Sequence, residues 1–380
     1  MLDIERELRE TKIRLCLDCG KCTVVCPVAQ HDPEFNPRLI AQKRLTQNQP
    51  MTDDETIWDC LNCYMCVERC NYLVHFPEFI QTVRAEALAE GTNLPCSHGG
   101  ALQSLMRLMT KKDLKQNRLT WLPDKVQLDE LSDTIFFVGC APYFDVIFKD
   151  LDVRTLQGAQ GAAKLLNSAK IPFNILNNER CCGRDLLLCG DREGFTTLAE
   201  LNIKEFERKG VKRIICNCSE CYYTLKKDYP KTLGAMDIEV LHITEVLAPL
   251  LENKGLDLGR ATGTFTYHDP CSLGRCSRIF DAPRNLLKAV EGLEIVEMEQ
   301  NREKALCCGG SPWVHCGAVN RKIQEERLGQ AQVSGADVLV TACPKCQIHL
   351  RCAQNLKGDT IAQIDIQDLA HVLSESMERG

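Results

Sequence analysis

The stretch ERCCGRDL at residues 179–186 contains two adjacent cysteines followed by glycine, and LCCGGSPW at residues 306–313 repeats this pattern. Each pair has a lone cysteine upstream, after a predicted strand, and a CxxC downstream. The two sets of five are Cys140, Cys181, Cys182, Cys218 and Cys221, and Cys271, Cys307, Cys308, Cys343 and Cys346. A [4Fe-4S] cube needs four terminal thiolates. A fifth cysteine therefore leaves one thiolate that can bridge irons or make room for a substrate.

Strand and helix signals alternate in the same order around both sets, and equivalent cysteines keep a nearly constant spacing. This pattern predicts a tandem duplication of α/β domains with mainly parallel sheets, over residues 134–255 and 256–380. The expected strands include residues 172–176 in the first copy and 293–298 in the second. Two such domains are expected to face each other about a pseudo-twofold axis. Gly183 and Gly309 are expected to let the backbone approach a cluster closely.

The N-terminal part contains two runs with the bacterial ferredoxin spacing, CxxCxxCxxxC. In that spacing three thiolates hold one cube and the fourth reaches the other. The predicted ligand sets are therefore crossed: Cys16, Cys19, Cys22 and Cys70 for the first cubane, and Cys60, Cys63, Cys66 and Cys26 for the second. We predict an α-helical bacterial-type ferredoxin domain with two [4Fe-4S] cubanes over residues 1–95, and a connector over 96–133. Two zinc sites are the alternative. Zinc needs four ligands, however, and has no use for four evenly staggered thiols that are repeated twice.

Composition excludes several classes of function. The net charge of -6 argues against a nucleic-acid surface, and no apolar stretch is long enough to span a bilayer. Residues 1–15 predict a charged amphipathic helix rather than a secretory signal. Dense cysteine in a chain without such a signal indicates metal chemistry in a reducing compartment. We therefore expect a cytoplasmic protein, which a partner can hold at the inner face of the membrane.

The cysteine segments resemble a known family. GCAPY, ERCCGRDL and CSECYYTLKKDYP, then HDPCSLGRCSRIFDAPR, LCCGGSPW and ACPKCQIHL, are similar to the two CCG modules in the B-type subunit of heterodisulfide reductase. The ferredoxin half resembles the C-type subunit, and the whole, over about residues 10–375, resembles the fused, D-type arrangement. The resemblance implies that each set of five cysteines holds a noncubane [4Fe-4S] cluster. It further implies that a disulfide binds between the two clusters, and that each cluster delivers one electron to split it.

Other residues near the cysteine sets are candidates for chemistry. His268, His315, Lys345 and His349 are candidate proton donors for the two thiols, with hydrogen bonding to a carbonyl or cluster sulfur as the alternative role. Arg275 and Arg284 either hold an anionic substrate or cap the local fold. Six cysteines remain outside the ligand sets, and most are expected to be small core residues: Cys96, Cys189, Cys216, Cys276, Cys316 and Cys352. Of these six, we expect Cys276 and Cys316 in particular to line a substrate cavity.

The sequence contains neither a dinucleotide fingerprint nor a phosphate-binding loop, so electrons must come from a partner. A flavoprotein similar to the A-type subunit, a hydrogenase, a formate dehydrogenase or a membrane cytochrome would serve. The first hypothesis is the catalytic subunit of a heterodisulfide-reductase-like complex. The alternative is a non-catalytic relay, as in glycerol-3-phosphate, glycolate or lactate dehydrogenases, which passes electrons toward quinone. Residues 101–122 either dock a partner or form inter-domain core.

Overall fold

A computed structural model describes residues 4–252, 255–310, 312–357 and 361–379 of the chain. The first three residues of the predicted N-terminal helix, and residues 253–254 beside the predicted boundary between the α/β domains, lie outside the described residues. The first helices are α1 (Ile4–Glu10), α2 (Lys21–Val24), α3 (Pro27–His31), α4 (Pro37–Gln47), α5 (Met65–Arg69), α6 (Phe76–Ala89) and α7 (Ala101–Met109). Pro37 and Pro77 lie in the first turns of α4 and α6, where the missing backbone N–H costs nothing.

The first α/β domain contains a parallel sheet flanked by helices. Its strands are β1 (Thr134–Phe137), β2 (Arg213–Cys216) and β3 (Glu239–His242), hydrogen-bonded in the order β1-β2-β3. Its helices are α8 (Ala141–Ile147), α9 (Thr155–Ser168), α10 (Arg184–Leu188), α11 (Arg192–Lys209), α12 (Ser219–Tyr223), α13 (Tyr229–Leu233) and α14 (Ile243–Glu252). The strands are short and mostly apolar, as expected for a parallel sheet covered on both faces.

The second α/β domain repeats this arrangement with one additional complete strand. Its sheet has the order β5-β4-β6-β7, and every pairing in it is parallel. The strands are β4 (Arg260–His268), β5 (Glu291–Ile295), β6 (Val338–Thr341) and β7 (Asp365–Asp368). The helices are α15 (Asp281–Lys288), α16 (Ala318–Val333), α17 (Pro344–Lys357) and α18 (Leu369–Glu378).

One predicted strand is reduced to a single bridge. Residues 172–176 of the first domain contribute only an isolated parallel bridge between Asn174 and Ile135, at the position that β5 occupies in the second domain. The Asn174 side chain is turned toward the backbone of this segment, where its Oδ1 accepts from the N–H of Ile175. Such local side-chain bonding competes with a regular ladder. The predicted duplication is nevertheless visible in the matching strand orders.

The two α/β domains exchange helix contacts in a reciprocal way. Helix α9 of the first domain packs on α18 of the second, and α15 of the second packs on α14 of the first. The α9–α18 approach is close because Gly158 and Gly161 lack side chains. A Cβ on Gly161 would lie 2.4 Å from the carbonyl oxygen of Ala370. Two equivalent helix pairs of this kind are what a pseudo-twofold arrangement requires.

The N-terminal part is packed firmly against both α/β domains. Apolar residues of the ferredoxin half, including Ile57 and Phe79, form one continuous core with Ile323 and Leu350 of the second domain. The end of α10 touches α6 so closely that a Cβ on Gly190 would lie 2.6 Å from the backbone nitrogen of Ala85. The ferredoxin half is therefore held at a fixed distance from both sets of five cysteines.

The connector over residues 96–133 is an ordered bridge. Ser97 and Gln103 both donate hydrogen bonds to the carbonyl of Trp313 in the second domain. Arg118 pairs with Glu179 in the first domain at 3.2 Å. In α7, Leu102, Met106 and Met109 are buried, so most of its apolar stripe is inter-domain core. Among the described residues, every helix is too short or too polar to cross a lipid bilayer.

Candidate iron-sulfur centres

Both cysteine runs of the ferredoxin half turn in the same way. Asp18 and Gly20 in the first run have φ values of 58° and 74°, and Asn62 and Tyr64 at the equivalent positions of the second have 51° and 63°. These left-handed residues flank Cys19 and its counterpart and wind each loop tightly. Short helices, α2 and α5, then begin at the same position in both runs.

The eight cysteines of these runs fall into two neighbouring groups. One cavity of about 260 Å³ is lined by Cys16, Cys19, Cys22 and Cys70, and also by Cys66. A second, smaller cavity is lined by Cys26, Cys60, Cys63 and Cys66. The structure therefore brings Cys26 of the first run to the second group, and Cys70 of the second run to the first group. Because Cys66 borders both cavities, the two groups are adjacent.

The chemistry of these thiols fits iron. Burial raises the pKa of Cys60 to about 11, and burial together with the charges of Cys60 and Cys63 raises the pKa of Cys66 well above its ordinary value. Several thiolates this close together in an apolar site would be unstable without a cation, which lowers thiol pKa values by coordination. At least four sulfur donors line each cavity, and four are what an iron-sulfur cluster requires.

The first α/β domain gathers its five cysteines at the carboxyl ends of its strands. The Cys181 thiol hydrogen-bonds to Cys140 and Cys182, while Cys221 hydrogen-bonds to Cys182 and Cys218. The five thiols therefore form one continuous chain of contacts. The lone cysteine follows β1, and the CxxC follows β2, where α12 begins. Free amides at the start of that helix favour negatively charged sulfur.

The second domain reproduces this chain of contacts. Cys307 hydrogen-bonds to Cys271 and Cys308, and Cys346 hydrogen-bonds to Cys308 and Cys343. All but the first of these five residues are buried. The duplication of the fold has therefore produced two cysteine sites with the same internal connectivity.

The glycines after the vicinal cysteines pack against helices. A Cβ on Gly183 would lie 2.9 Å from the ring of Phe195, and one on Gly309 would collide with α16, so both glycines allow close helix packing, and their close approach to a cluster stays a prediction. Their φ values, 82° and 77°, also favour glycine. Gly139 faces a cysteine of the first set of five, since a Cβ there would lie 2.8 Å from Cys221 Sγ. Its position next to Cys140 was the sequence signal that we did not use.

Two contacts join the cysteine groups to one another. The Cys63 thiol of the ferredoxin half hydrogen-bonds to Cys307, and this bond is the main reason that the pKa of Cys63 falls to about 6. The Cys218 thiol hydrogen-bonds to Cys343 across the interface of the α/β domains. The second domain is therefore in contact with the ferredoxin half on one side and with the first domain on the other.

A buried arginine that the sequence reasoning missed organises the second ferredoxin run. Arg84 of α6 is fully buried and donates hydrogen bonds to the carbonyls of Ile57, Trp58 and Cys60, at 2.8–3.0 Å. It also donates to the Leu188 carbonyl of the first α/β domain at 2.8 Å. One guanidinium therefore fixes the loop before the cysteines and attaches it to the neighbouring domain.

Lys345, a candidate proton donor, lies in a buried ion network. Its Nζ is 2.5 Å from Asp185 Oδ1 and 2.9 Å from Glu220 Oε2, both from the first domain. Burial lowers the pKa of Lys345, but the two carboxylates outweigh burial and raise that pKa well above its ordinary value. The residue therefore holds its proton firmly and joins the two CxxC loops across the interface. Asp185 and Glu220 are site residues that the sequence reasoning missed.

The three histidines differ in position. His268 Nδ1 accepts from Arg327 at 3.0 Å, and the ring also hydrogen-bonds to Cys308. The ligand atoms of His268, Cys308 and Cys346 lie within 4.8 Å of one another. His349 is buried, and its Nε2 has no hydrogen-bond partner in the described part of the chain. His315 lies on the ferredoxin side instead, 3.6 Å from Asp59.

The two candidate arginines have different surroundings. Arg284 is fully engaged by Asp269 and Glu297, with distances of 2.6–2.9 Å, and so braces the local fold. Arg275 donates from Nε to the Cys63 carbonyl at 2.7 Å, while its buried Nη2 lacks a hydrogen-bond partner in the described ranges. The charge of Cys271 also acts on it. Arg275 is therefore a buried cation beside the contact between the ferredoxin half and the second domain.

The remaining cysteines divide by environment. Cys189 and Cys216 are completely buried core residues, as expected, whereas Cys96 is exposed. Cys276 is half-buried, and its backbone N–H donates to the Cys271 carbonyl. Cys316 does not stand alone, because its thiol hydrogen-bonds to Cys352.

Comparisons with known proteins agree with this organisation. The family model of the cysteine-rich domain, CCG, matches residues 134–226 and 265–351. The model of a 4Fe-4S dicluster domain matches residues 12–74. A crystal structure of a hypothetical protein from Helicobacter pylori matches 91% of this chain and 68% of that chain, with a TM-score of 0.54 at 13% identity, which supports the fold alone.

Among curated proteins, the D-type subunit of dihydromethanophenazine:CoB--CoM heterodisulfide reductase from Methanosarcina barkeri is 27% identical over 95% of this chain and 93% of its own length. An uncharacterized iron-sulfur protein of Methanococcus maripaludis is 30% identical over 90% of this chain and 67% of its own. EtfAB:quinone oxidoreductase of Syntrophomonas wolfei is 28% identical over 96% of this chain, which spans 58% of that protein. With a dicluster domain followed by two cysteine-rich domains, the chain belongs to the heterodisulfide reductase family of iron-sulfur oxidoreductases.

Proposed function

We propose that this protein is the iron-sulfur catalytic subunit of a heterodisulfide-reductase-like complex. In this proposal electrons enter through two [4Fe-4S] cubanes and reach two noncubane [4Fe-4S] clusters, where a disulfide is reduced to two thiols. The cubanes are held by the two crossed sets, Cys16, Cys19, Cys22 and Cys70, and Cys60, Cys63, Cys66 and Cys26. The noncubane clusters are held by Cys140, Cys181, Cys182, Cys218 and Cys221, and by Cys271, Cys307, Cys308, Cys343 and Cys346.

The observation that carries the proposal is the pair of thiol contacts between groups, Cys63 with Cys307 and Cys218 with Cys343. They support a continuous route from the ferredoxin half through the second CCG domain to the first. Two one-electron centres that meet at a single interface match the needs of a two-electron cleavage. A complete fifth cysteine at both centres adds the spare coordination that bond cleavage at iron requires.

When bound, the clusters would supply single electrons and open coordination for sulfur. The chain's own residues shape the site around that chemistry. The Lys345 ion pairs with Asp185 and Glu220 hold the two CxxC loops together across the domain interface. His268 contacts Cys308 directly, so it is better placed than His315 to pass a proton to a departing thiolate. Arg275 offers a buried positive charge to an anionic substrate group.

The electron donor in this proposal is a separate protein. A flavoprotein similar to the A-type subunit, a hydrogenase, a formate dehydrogenase or a membrane cytochrome would all fit, because the donor needs only to reach the first cubane. Its cysteines line the most exposed of the centres, since Cys19 is exposed and Cys16, Cys22 and Cys70 are half-buried. We place the complex in the cytoplasm, where a membrane-bound donor could hold it at the inner face.

A second candidate function is an electron relay without catalysis, which would pass electrons from a flavin dehydrogenase toward quinone. Specific relatives favour it: besides the quinone oxidoreductase above, FadF of Bacillus subtilis, named a probable iron-sulfur-binding oxidoreductase, is 31% identical over 90% of this chain. This chain spans about half the length of FadF. A relay would need no spare thiolate at either CCG site.

Paramagnetic resonance separates the two functions. We expect the oxidised protein to develop a new signal when a substrate thiol is added, because sulfur binds at an open iron site. The signal should vanish in Cys308→Ala or Cys182→Ala and persist in Cys216→Ala, which alters a core thiol outside the ligand sets. Indifference to every thiol would favour the relay.

Metal analysis provides a simpler check. Four clusters of four irons predict about 16 iron atoms and about 16 acid-labile sulfides per chain. Zinc together with half that iron would contradict the enzyme, because the CCG sites would then hold no cluster.

A further inference from the structure

We propose that Cys316 and Cys352 form a redox-active dithiol beside the second CCG domain, which exchanges with an external disulfide and is re-reduced through the cluster sites. The proposal rests on the proposed function for its supply of electrons. It identifies where a disulfide too large for the buried interface would be reduced.

The two thiols have the unequal exposure of an attacking and a resolving cysteine. Cys316 lies in the loop before α16 and is half-buried, whereas Cys352 lies inside α17 and is only 7% exposed. They are hydrogen-bonded to each other, and neither belongs to a five-cysteine set. An accessible thiolate next to a sheltered partner is the usual arrangement of thiol-disulfide exchange sites.

His98 provides a means of activating Cys316. Its exposed ring hydrogen-bonds to the Cys316 thiol and packs edge-on against Phe148 and Trp313, with centroids 5.2 and 5.7 Å apart. The hydrogen bond with Cys352, and then that with His98, lower the pKa of Cys316 to about 4. His98 also has a φ of 52°, a conformation that is uncommon outside glycine and often found at functional sites.

One face of α17 connects this pair with the second cluster site. Lys345, His349 and Cys352 are spaced four and then three residues apart, so they lie along the same side of the helix. The His349 ring packs on Trp313 with centroids 4.5 Å apart, and the charges of both Cys308 and Cys316 act on it. Packed aromatic and imidazole rings therefore lead from a cluster ligand to the dithiol.

The reaction balances with the electrons that the clusters supply. The Cys316 thiolate attacks one sulfur of the external disulfide, and the other sulfur leaves as a thiolate that takes a proton. Cys352 loses its proton and attacks the Cys316 sulfur, which releases the second thiol and forms the internal disulfide. Two electrons, delivered one at a time through the second CCG site, and two protons then restore both thiols.

Thiol mapping tests the proposal directly. The anaerobic holoprotein is treated with oxidised glutathione, alkylated, digested and analysed by mass spectrometry, before and after addition of dithionite. We expect a peptide cross-linked through Cys316 and Cys352 that disappears on reduction. In Cys352→Ser the cross-link should be replaced by glutathione on Cys316, and Cys96→Ser, a control at an exposed neighbouring thiol, should keep it.

Turnover adds an independent readout. The rates of reduction of insulin, a protein disulfide, and of oxidised glutathione, a small disulfide, are measured. Cys316→Ser, at unchanged iron content, should reduce insulin at least tenfold more slowly than the wild type. A proportional loss with glutathione would assign the turnover of both substrates to the dithiol, and an unchanged glutathione rate would show that small disulfides are also reduced at the cluster sites themselves. Alkylation of both thiols under oxidising conditions, zinc bound to them, or unchanged rates with both substrates would overturn the proposal. The thiol-dependent signal at Cys182 and Cys308 would survive that failure.

Discussion

Single buried charges hold the cysteine loops in place at the residue scale. Within the described part of the chain, the guanidinium of Arg84 makes no hydrogen bond to an acidic side chain, and it satisfies backbone carbonyls on two domains instead. Lys345, in contrast, pairs with two buried acidic side chains near the CxxC loops. Arg84 lies in ordinary helical sequence, and Lys345 lies inside a CxxC motif, but neither position gives a local sign of what the side chain contacts.

Arg84→Met should destabilise the second cubane site. The change leaves several buried carbonyls without a donor, which costs on the order of 3 kcal/mol. The thermal midpoint should fall and the iron content should drop toward three clusters per chain. Arg9→Met on exposed α1 is the control and should match the wild type. Equal midpoints for the two variants would contradict the role given to Arg84.

Lys345→Met should cost about 3–5 kcal/mol, because it removes the cation that pairs with the buried carboxyl groups of Asp185 and Glu220. Adding Glu220→Gln should recover part of the loss, since the second change removes one of the two buried carboxyl groups that Lys345 satisfied. Thermal midpoints of the single and double variants measure this coupling. A double variant less stable than Lys345→Met would show that the network does not act as described.

At the element scale, the fold depends on helices that approach closely across the domain interface. The sequence predicted a strand before each lone cysteine, and β1 and β4 are confirmed ahead of Cys140 and Cys271. The prediction of a complete strand over 172–176 was wrong. The segment forms only one bridge, because the Asn174 side chain accepts a hydrogen bond from the neighbouring Ile175 N–H. The reason for Gly158 and Gly161 could not be read from the sequence, since their neighbours are Asp368, which caps α18, and Ala370 in its first turn.

Glycine-to-alanine changes in two helices should have opposite effects. Gly161→Ala places a methyl group 2.4 Å from a backbone oxygen of α18, so it should destabilise the protein by about 1–3 kcal/mol despite the better helix propensity of alanine. Gly329→Ala in α16 meets no atom within 4 Å and should stabilise by about 0.5–1 kcal/mol. Thermal midpoints shifted in the same direction would contradict the close packing of α9 on α18.

The start of α18 should make stability depend on pH. Asp368 caps this helix by accepting from Ala370 N–H at 2.8 Å, and burial raises the pKa of its carboxyl to about 7. Because this pKa is higher in the folded state than in the unfolded chain, the carboxyl stabilises the folded state most at low pH. That contribution to stability is lost as the pH rises through 7. Asp368→Asn keeps the cap and should flatten the decline in thermal midpoint between pH 6 and pH 8, where the wild type falls. A wild-type midpoint that is constant or rises over this range would contradict the assignment.

At the scale of the whole molecule, the domains place four cysteine groups in one sequence of contacts. Spacing alone predicted the membership of each group, because the motifs are local. It could not predict that Cys63 meets Cys307 or that Cys218 meets Cys343, since those contacts depend on how three domains pack. Likewise, Cys316 and Cys352 are separated in sequence and were not recognised as a pair.

Reoxidation of the reduced protein tests the central claim most directly. The anaerobic holoprotein is reduced with dithionite, freed of excess reductant and mixed with either a disulfide or a soluble quinone, while the visible absorbance of the clusters is followed. We predict that a disulfide restores the absorbance, with two thiols released for every two electrons lost. Clusters that stay reduced with every disulfide tested, and are reoxidised by quinone, would contradict disulfide reduction and identify the protein as a relay.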